Sequence, residues 1–224
     1  MTVKLVSYSK ATDDFAAEGL TDLQELIAFC AKVSNPAAQI NTETSERLIR
    51  YLIKHQHWSP LEMVNATLEI NTTRDIAHQI VRHRSFAFQE FSQRYANPAE
   101  FGEMFVTREA RLQDTKNRQN SVEVDSDEDI HYAWADKQQE VIDKAREVYD
   151  WAIAAGIAKE QARVVLPEGN TKTRLYMNGT IRSWVHYIDL RGDNGTQREH
   201  MKIARSIGEI LDTELPTVSR AMWG

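Results

Sequence analysis

The chain has 224 residues, 42% of them hydrophobic, with 27 Lys and Arg against 33 Asp and Glu for a formal net charge of -6. That acidity argues against a broad electrostatic footprint for a polyanion, and no apolar run approaches membrane-spanning length, so neither a nucleic-acid partner nor a membrane is expected. The single cysteine, Cys30, excludes an intrachain disulfide and a cysteine-based zinc cluster, and the start of the chain lacks the regions of a signal peptide, which predicts a cytoplasmic protein.

Taken in chain order, residues 3–7 are apolar-rich and predict an edge strand. Thr21 and Gln24 have capping-box spacing, and Leu23, Leu26, Ile27 and Cys30 follow at helical intervals. Cys30 is read as a small buried hydrophobe on that stripe. A second helix is predicted over 42–55, with Leu48, Ile49, Leu52 and Ile53 as its apolar side. Val64, Ala66, Leu68 and Ile70 alternate with Asn65, Thr67, Glu69 and Asn71, the pattern of a half-buried strand. A helix over about 74–81 leads into residues 82–95, read as a loop-like stretch.

Further on, the acidic run Glu123, Asp125, Asp127, Glu128, Asp129 lacks the alternating ligands, Gly and distal Glu of a calcium loop. It predicts a solvated loop and a helix start, with no metal. The helix runs to about 155, with Val141, Ala145, Val148 and Ala152 on one stripe, and stops at Gly156. Residues 173–177 predict a strand and 180–188 a short helix. Thr196 and Glu199 then form a capping box for a last helix that turns Ile203, Ile207, Ile210 and Leu211 inward. The elements have no βαβ rhythm, so the predicted class is α+β, a mixed or antiparallel sheet flanked by helices. With 9 Gly, 5 Pro and no linker tract, the chain reads as a single domain over 1–224.

The chemistry concentrates in 82–95. Arg82, His83 and Arg84 stand together, Ser92 follows ten residues after Arg82, and Arg94 and Tyr95 close the segment. Guanidiniums at this density suit phosphate oxygens. Phe86, Phe88, Phe91 and Tyr95 are interleaved with them, which points to a half-buried wall rather than a wet surface. A single-strand nucleic-acid patch would use the same residue types, but the acidic whole favours a small phosphorylated ligand in a local basic pocket. Neither G-x-G-x-x-G nor G-x-x-x-x-G-K-[ST] occurs, so side chains must do most of the phosphate holding.

The spacing Arg-His-Arg, seven residues, Ser, then Arg-Tyr resembles the signature of the flavin-dependent thymidylate synthases. The resemblance continues at His57, Ser59, Pro60 and Glu62, at Ala162, Arg163, Leu166 and Pro167, and at Arg182, His186, Leu190 and Arg191. It implies FAD as cofactor, dUMP as substrate, NADPH and methylenetetrahydrofolate as co-substrates, and a homotetramer with active sites at subunit contacts. It implies that Ser59, Arg82, His83, Arg84, Glu90, Arg182 and His186 bind FAD, with His57 and Glu62 against the flavin. It further implies that Gln79, Arg82, Glu90, Ser92, Gln93, Arg94, Arg163 and Arg191 bind dUMP, and that Arg191 activates the pyrimidine. Ala87, Gln89 and Thr180 depart from the residues many members carry there.

Cys30 is not placed as a nucleophile and Ser92 has no recognisable base partner, so the expected reaction begins with hydride and forms no enzyme–substrate bond. His55, His78, His131 and His200 are read as structural or surface groups, and Trp58 and Trp184 as packing residues. A flavin protein of this fold without synthase activity, or a small single-strand nucleic-acid module, is the alternative.

Overall fold

The computed structural model describes residues 1–125 and 128–224; Asp127 of the acidic run lies outside them. The chain runs β1 (Thr2–Tyr8), α1 (Asp13–Ala17), α2 (Leu23–Ala31), α3 (Ser45–Lys54), β2 (Asn65–Thr73), α4 (Arg74–Ile80), β3 (Ala87–Glu90), β4 (Arg111–Gln113), β5 (Ser121–Glu123), α5 (Asp129–Ala154), α6 (Lys159–Ala162), β6 (Lys172–Thr180), α7 (Ile181–Arg191), α8 (Arg198–Glu214) and α9 (Pro216–Trp223). A four-stranded sheet has the order β1-β2-β6-β3, with every pairing antiparallel, and β4 and β5 form a separate hairpin. The predicted α+β class therefore resolves to antiparallel, with β1 at the edge as expected.

Alternation along the two central strands decides which sheet face is covered. Ala66, Leu68 and Ile70 of β2 are buried with Leu175 and Met177 of β6, against Ile76, Ile80, Trp184, Val185, Ile203 and Ile207 from the helices. The opposite face is polar: Glu69 accepts from the Tyr176 hydroxyl at 3.0 Å and Asn178 donates to Thr67 at 2.6 Å. Trp184 is fully buried and donates through Nε1 to the Ala66 carbonyl at 3.1 Å, which satisfies its only polar group.

A smaller core forms where α5 covers Met104, Phe105, Ala162 and Leu166. Its buried stripe is Gln138, Ile142, Ala145, Tyr149 and Ala152, whereas Val141 is exposed. The predicted stripe holds at Ala145 and Ala152 but not at Val141 and Val148, where the neighbouring Ile142 and Tyr149 turn inward instead. Gly156, at φ 78, ends the helix as expected.

Both expected capping boxes are corrected. Asp22 caps α2, accepting from Gln24 and Glu25, and Glu25 reaches back to the Asp22 amide at 3.1 Å. At α8 the cap is Gln197 with no side-chain capping bond, because Glu199 turns instead toward Arg111. Ile210 is only partly buried, unlike Ile203, Ile207 and Leu211. Cys30 is half-buried rather than buried, since α2 turns Leu23, Ile27 and Ala28 inward. The segment read as a loop contains β3, whose Ala87↔Asn178 to Glu90↔Leu175 register adds it to the sheet.

Candidate active site

Helix ends, turns and one strand edge hold the predicted residues in separate groups. Gln79 lies in the last turn of α4, and the chain then turns tightly, with the His83 amide donating to the Ile80 carbonyl at 3.1 Å. Phe86 follows, its ring lying over Gly179 where any Cβ would collide with it, and packed edge-on against Trp184 at 4.6 Å. Those contacts anchor the Arg-His-Arg triplet to the sheet. Phe86, Phe88 and Phe91 are partly buried as expected, but Tyr95 is 77% exposed and forms no part of a wall.

Arg191, the last residue of α7, donates from Nε to Nε2 of His83 at 3.0 Å. An imidazole nitrogen that accepts from a guanidinium carries no proton, so His83 is neutral with its hydrogen on Nδ1. Burial, then the charges of Arg191 and Arg82, push its basicity below the ordinary histidine range. His83 also packs edge-on to Tyr187 at 4.9 Å. Arg82 and Arg84 are exposed, and neither has an ion-pair or hydrogen-bond partner among the described residues. Two uncompensated guanidiniums flanking a neutral imidazole fit a ligand with adjacent phosphates.

The first half of α7 gathers a second group. Thr180 caps the helix, accepting from the Ser183 amide at 3.2 Å, so this departure from the family pattern has a local structural role. Arg182 forms an ion pair with Glu62, and His186 packs edge-on to Trp58 at 4.7 Å. Ser59, exposed, opens the short turn Ser59–Glu62 that lies beside α7. His57 is exposed, and the turn that presents it depends on Gln56 at φ 56, a left-handed conformation that closes α3.

Glu90 accepts from Arg74 at 3.2 Å and from the Thr173 hydroxyl at 2.9 Å, which fixes its carboxylate on the sheet. Ser92, Arg94 and Arg163 form a third group: Arg94 pairs with Glu160 at 3.4 Å and Lys159 donates to the Tyr95 carbonyl at 3.0 Å, which holds this turn against α6, next to Arg163. The Ser92 hydroxyl lies 3.4 Å from the Arg94 amide and has no histidine partner among the described residues. Gln93 is buried, and its Nε2 lacks a hydrogen-bond partner among the described residues. No hydrogen bond or ion pair among the described residues joins this third group to Arg191.

Sequence reasoning missed the groups behind the site. Arg74, which holds Glu90, reads as an ordinary helix start. His200, read as structural or surface, is wholly buried against Tyr187 and Gln79. Its signal was available: His200 precedes Ile203, Ala204 and Ile207 at helical spacing, a histidine on an apolar stripe.

The family model described as thymidylate synthase complementing protein matches residues 18–217. Among curated relatives, a probable flavin-dependent thymidylate synthase of Paramecium bursaria Chlorella virus 1 is 47% identical over 222 residues, covering 99% of each chain. A flavin-dependent thymidylate synthase of Synechocystis sp. is 46% identical over 222 residues, again covering 99% of each. Among solved structures, the UMP/dUMP methylase PolB from Streptomyces cacaoi, bound with 5-Br dUMP, superposes with a TM-score of 0.81 at 25% identity, covering 98% of this chain and 93% of that one.

Proposed function

Because this chain belongs to the flavin-dependent thymidylate synthase family, we propose that it methylates dUMP to dTMP by a hydride-initiated route in which Arg191 activates the pyrimidine. FAD is the cofactor, and methylenetetrahydrofolate and NADPH are the co-substrates. The observation that carries the reading is the contact of Arg191 with neutral His83 beside the uncompensated Arg82 and Arg84.

Arg82, His83, Arg84, Ser59, Glu90, Arg182 and His186 hold the flavin dinucleotide, with the unpartnered guanidiniums on its phosphates. Gln79, Arg82, Glu90, Ser92, Gln93, Arg94 and Arg163 hold dUMP together with Arg191. Bound and reduced, the flavin supplies hydride for C6 of the uracil. Negative charge then develops on the pyrimidine oxygens, and a fixed cation lowers the energy of that state most when water is excluded. His83 takes only the Nε hydrogen of Arg191, which leaves both terminal nitrogens for the ring. A neutral imidazole also holds the guanidinium in place without cancelling its charge.

No covalent thiol adduct is needed. The half-buried Cys30 sits on α2, and burial pushes its thiol pKa up, the opposite of an activated nucleophile. The family membership supports a homotetramer with the nucleotide site completed between copies of the chain. The matches along nearly the whole length support one synthase domain over 1–224. No helix among the described residues is long and apolar enough to cross a membrane, which agrees with a cytoplasmic site of action. Purified protein should be yellow, release FAD on denaturation and form dTMP from dUMP, methylenetetrahydrofolate and NADPH. A colourless protein binding oligonucleotide with a steep salt dependence would overturn the reading.

A further inference from the structure

Gln79 stands in the middle of a partly buried hydrogen-bond chain whose other members the proposed reaction does not use. Its Nε2 lies 2.7 Å from Oε1 of Gln197, whose Nε2 lies 3.0 Å from Oε2 of Glu199. On its other side, Oε1 of Gln79 lies 3.3 Å from Nδ1 of His200, and Nε2 of His200 lies 2.8 Å from the Tyr187 hydroxyl. Glu199 is 5% exposed and His200 is 0% exposed, so water cannot substitute for these partners.

The direction of the chain follows from its far end. Burial pushes the Glu199 carboxyl up, but the hydrogen bond and charge of Arg111, with its other donors, bring it below the usual range. An ionised carboxylate only accepts, so Gln197 must turn its NH2 toward Glu199 and its oxygen toward Gln79. Gln79 must then give an N–H to Gln197 and turn its own oxygen to His200. His200, neutral with its pKa pushed down to about 4 mainly by burial, must carry its hydrogen on Nδ1, and Tyr187 must donate to Nε2. Reversing Gln197 would set its oxygen against a Glu199 oxygen, and reversing Gln79 would set its oxygen against that of Gln197.

We propose that Glu199, paired with Arg111 of the β4–β5 hairpin, is a positioning residue that locks the Gln79 amide, so that Gln79 offers the nucleotide one fixed N–H donor. This rests on the reading of Gln79 as a dUMP-binding residue. Hairpin and α8 thereby fix the polarity of a group on α4 that neither Arg111 nor Glu199 touches. A donor of fixed direction favours a ligand atom that only accepts, a carbonyl or phosphate oxygen, over an amino group at the same place.

The test is a double-substitution cycle on the flavin-loaded enzyme, Glu199→Gln against Gln79→Ala, reading KM for dUMP and kcat separately. Arg111 only donates, so it takes the oxygen of the amide introduced by Glu199→Gln and leaves the NH2 toward Gln197, which turns the chain the other way while its shape is kept. Glu199→Gln should raise KM by about tenfold, the worth of one hydrogen bond, with kcat changed little. In the Gln79→Ala background it should add nothing, since the two act as one unit. Equal increases in both backgrounds, or an effect on kcat alone, would overturn the lock. A Gln79→Ala variant with unchanged KM would instead reject the nucleotide role of Gln79.

Gln197→Leu serves where Glu199→Gln folds poorly, because it leaves the Arg111–Glu199 pair intact and severs the link from Glu199 to Gln79. It should reproduce the rise in KM for dUMP, and it should add nothing in the Gln79→Ala background. An unchanged KM in Gln197→Leu, with flavin content and melting temperature equal to wild type, overturns the lock.

Discussion

Arg191 Nε donates to His83 Nε2 across 3.0 Å, tying the end of α7 to the middle of the Arg-His-Arg triplet. The bond exists only while His83 is neutral. It therefore couples the placement of the Arg191 guanidinium to the protonation state of a group on a different element.

That coupling has a sign. Burial lowers the basicity of both His83 and His200, the latter to about 4, whereas an unfolded histidine titrates at ~6.5. Between those values the unfolded chain binds more protons than the folded one, so stability rises with pH there. Stability should be fully present above about 6.5 and be lost as pH falls toward about 4. Thermal melts across that window should show a falling melting temperature, with a shallower slope in His200→Asn. An identical slope in the variant would assign the loss to other groups.

Arg82→Ala and Arg84→Ala should each lower FAD occupancy. Each removes a charge-assisted contact of roughly 1.5–3 kcal/mol, or about ten- to a hundredfold in affinity. Flavin absorbance per subunit measures it, and unchanged content in both variants rejects the placement of the cofactor.

Gly179→Ala should harm the same site from behind. The new methyl meets the Phe86 ring, which is itself held against Trp184. Overpacking of this kind costs about 1–3 kcal/mol, and the ring can yield only by shifting the triplet that precedes it. A lower melting temperature and reduced flavin retention are expected together. Wild-type values for both would show that the ring moves freely.

Cys30→Ala should keep dTMP formation. The thiol is half-buried beside Leu26 and Ile27 on α2, so its loss costs about 1 kcal/mol of stability and no chemistry. An inactive variant with full FAD would remove the case for a reaction without a cysteine nucleophile.

Much of this was legible in the residues. The alternation over β2 and the spacing of Arg82, Ser92 and Arg94 each reflect local periodicity or motif, which sequence carries directly. What was not legible depended on tertiary choices. Four residues of the signature, Ala87 to Glu90, become a strand because β6 offers a free edge, not because they alternate strongly. Glu199 looks like a capping residue until Arg111, 88 positions away, competes for it. His200 looks like one more histidine until Tyr187 and Gln79 close on its two nitrogens.

The most direct measurement is a single turnover of Arg191→Ala from pre-reduced flavin with saturating dUMP and methylenetetrahydrofolate. Arg191 should matter most when charge appears on the ring, so its loss acts on turnover more than on ground-state binding. FAD should be retained, dUMP binding weakened modestly, and dTMP formation slowed by about a hundredfold or more, the size seen when one such donor is removed. A wild-type single-turnover rate in that variant would contradict the account and leave Arg191 as a partner of His83 with no part in the chemistry.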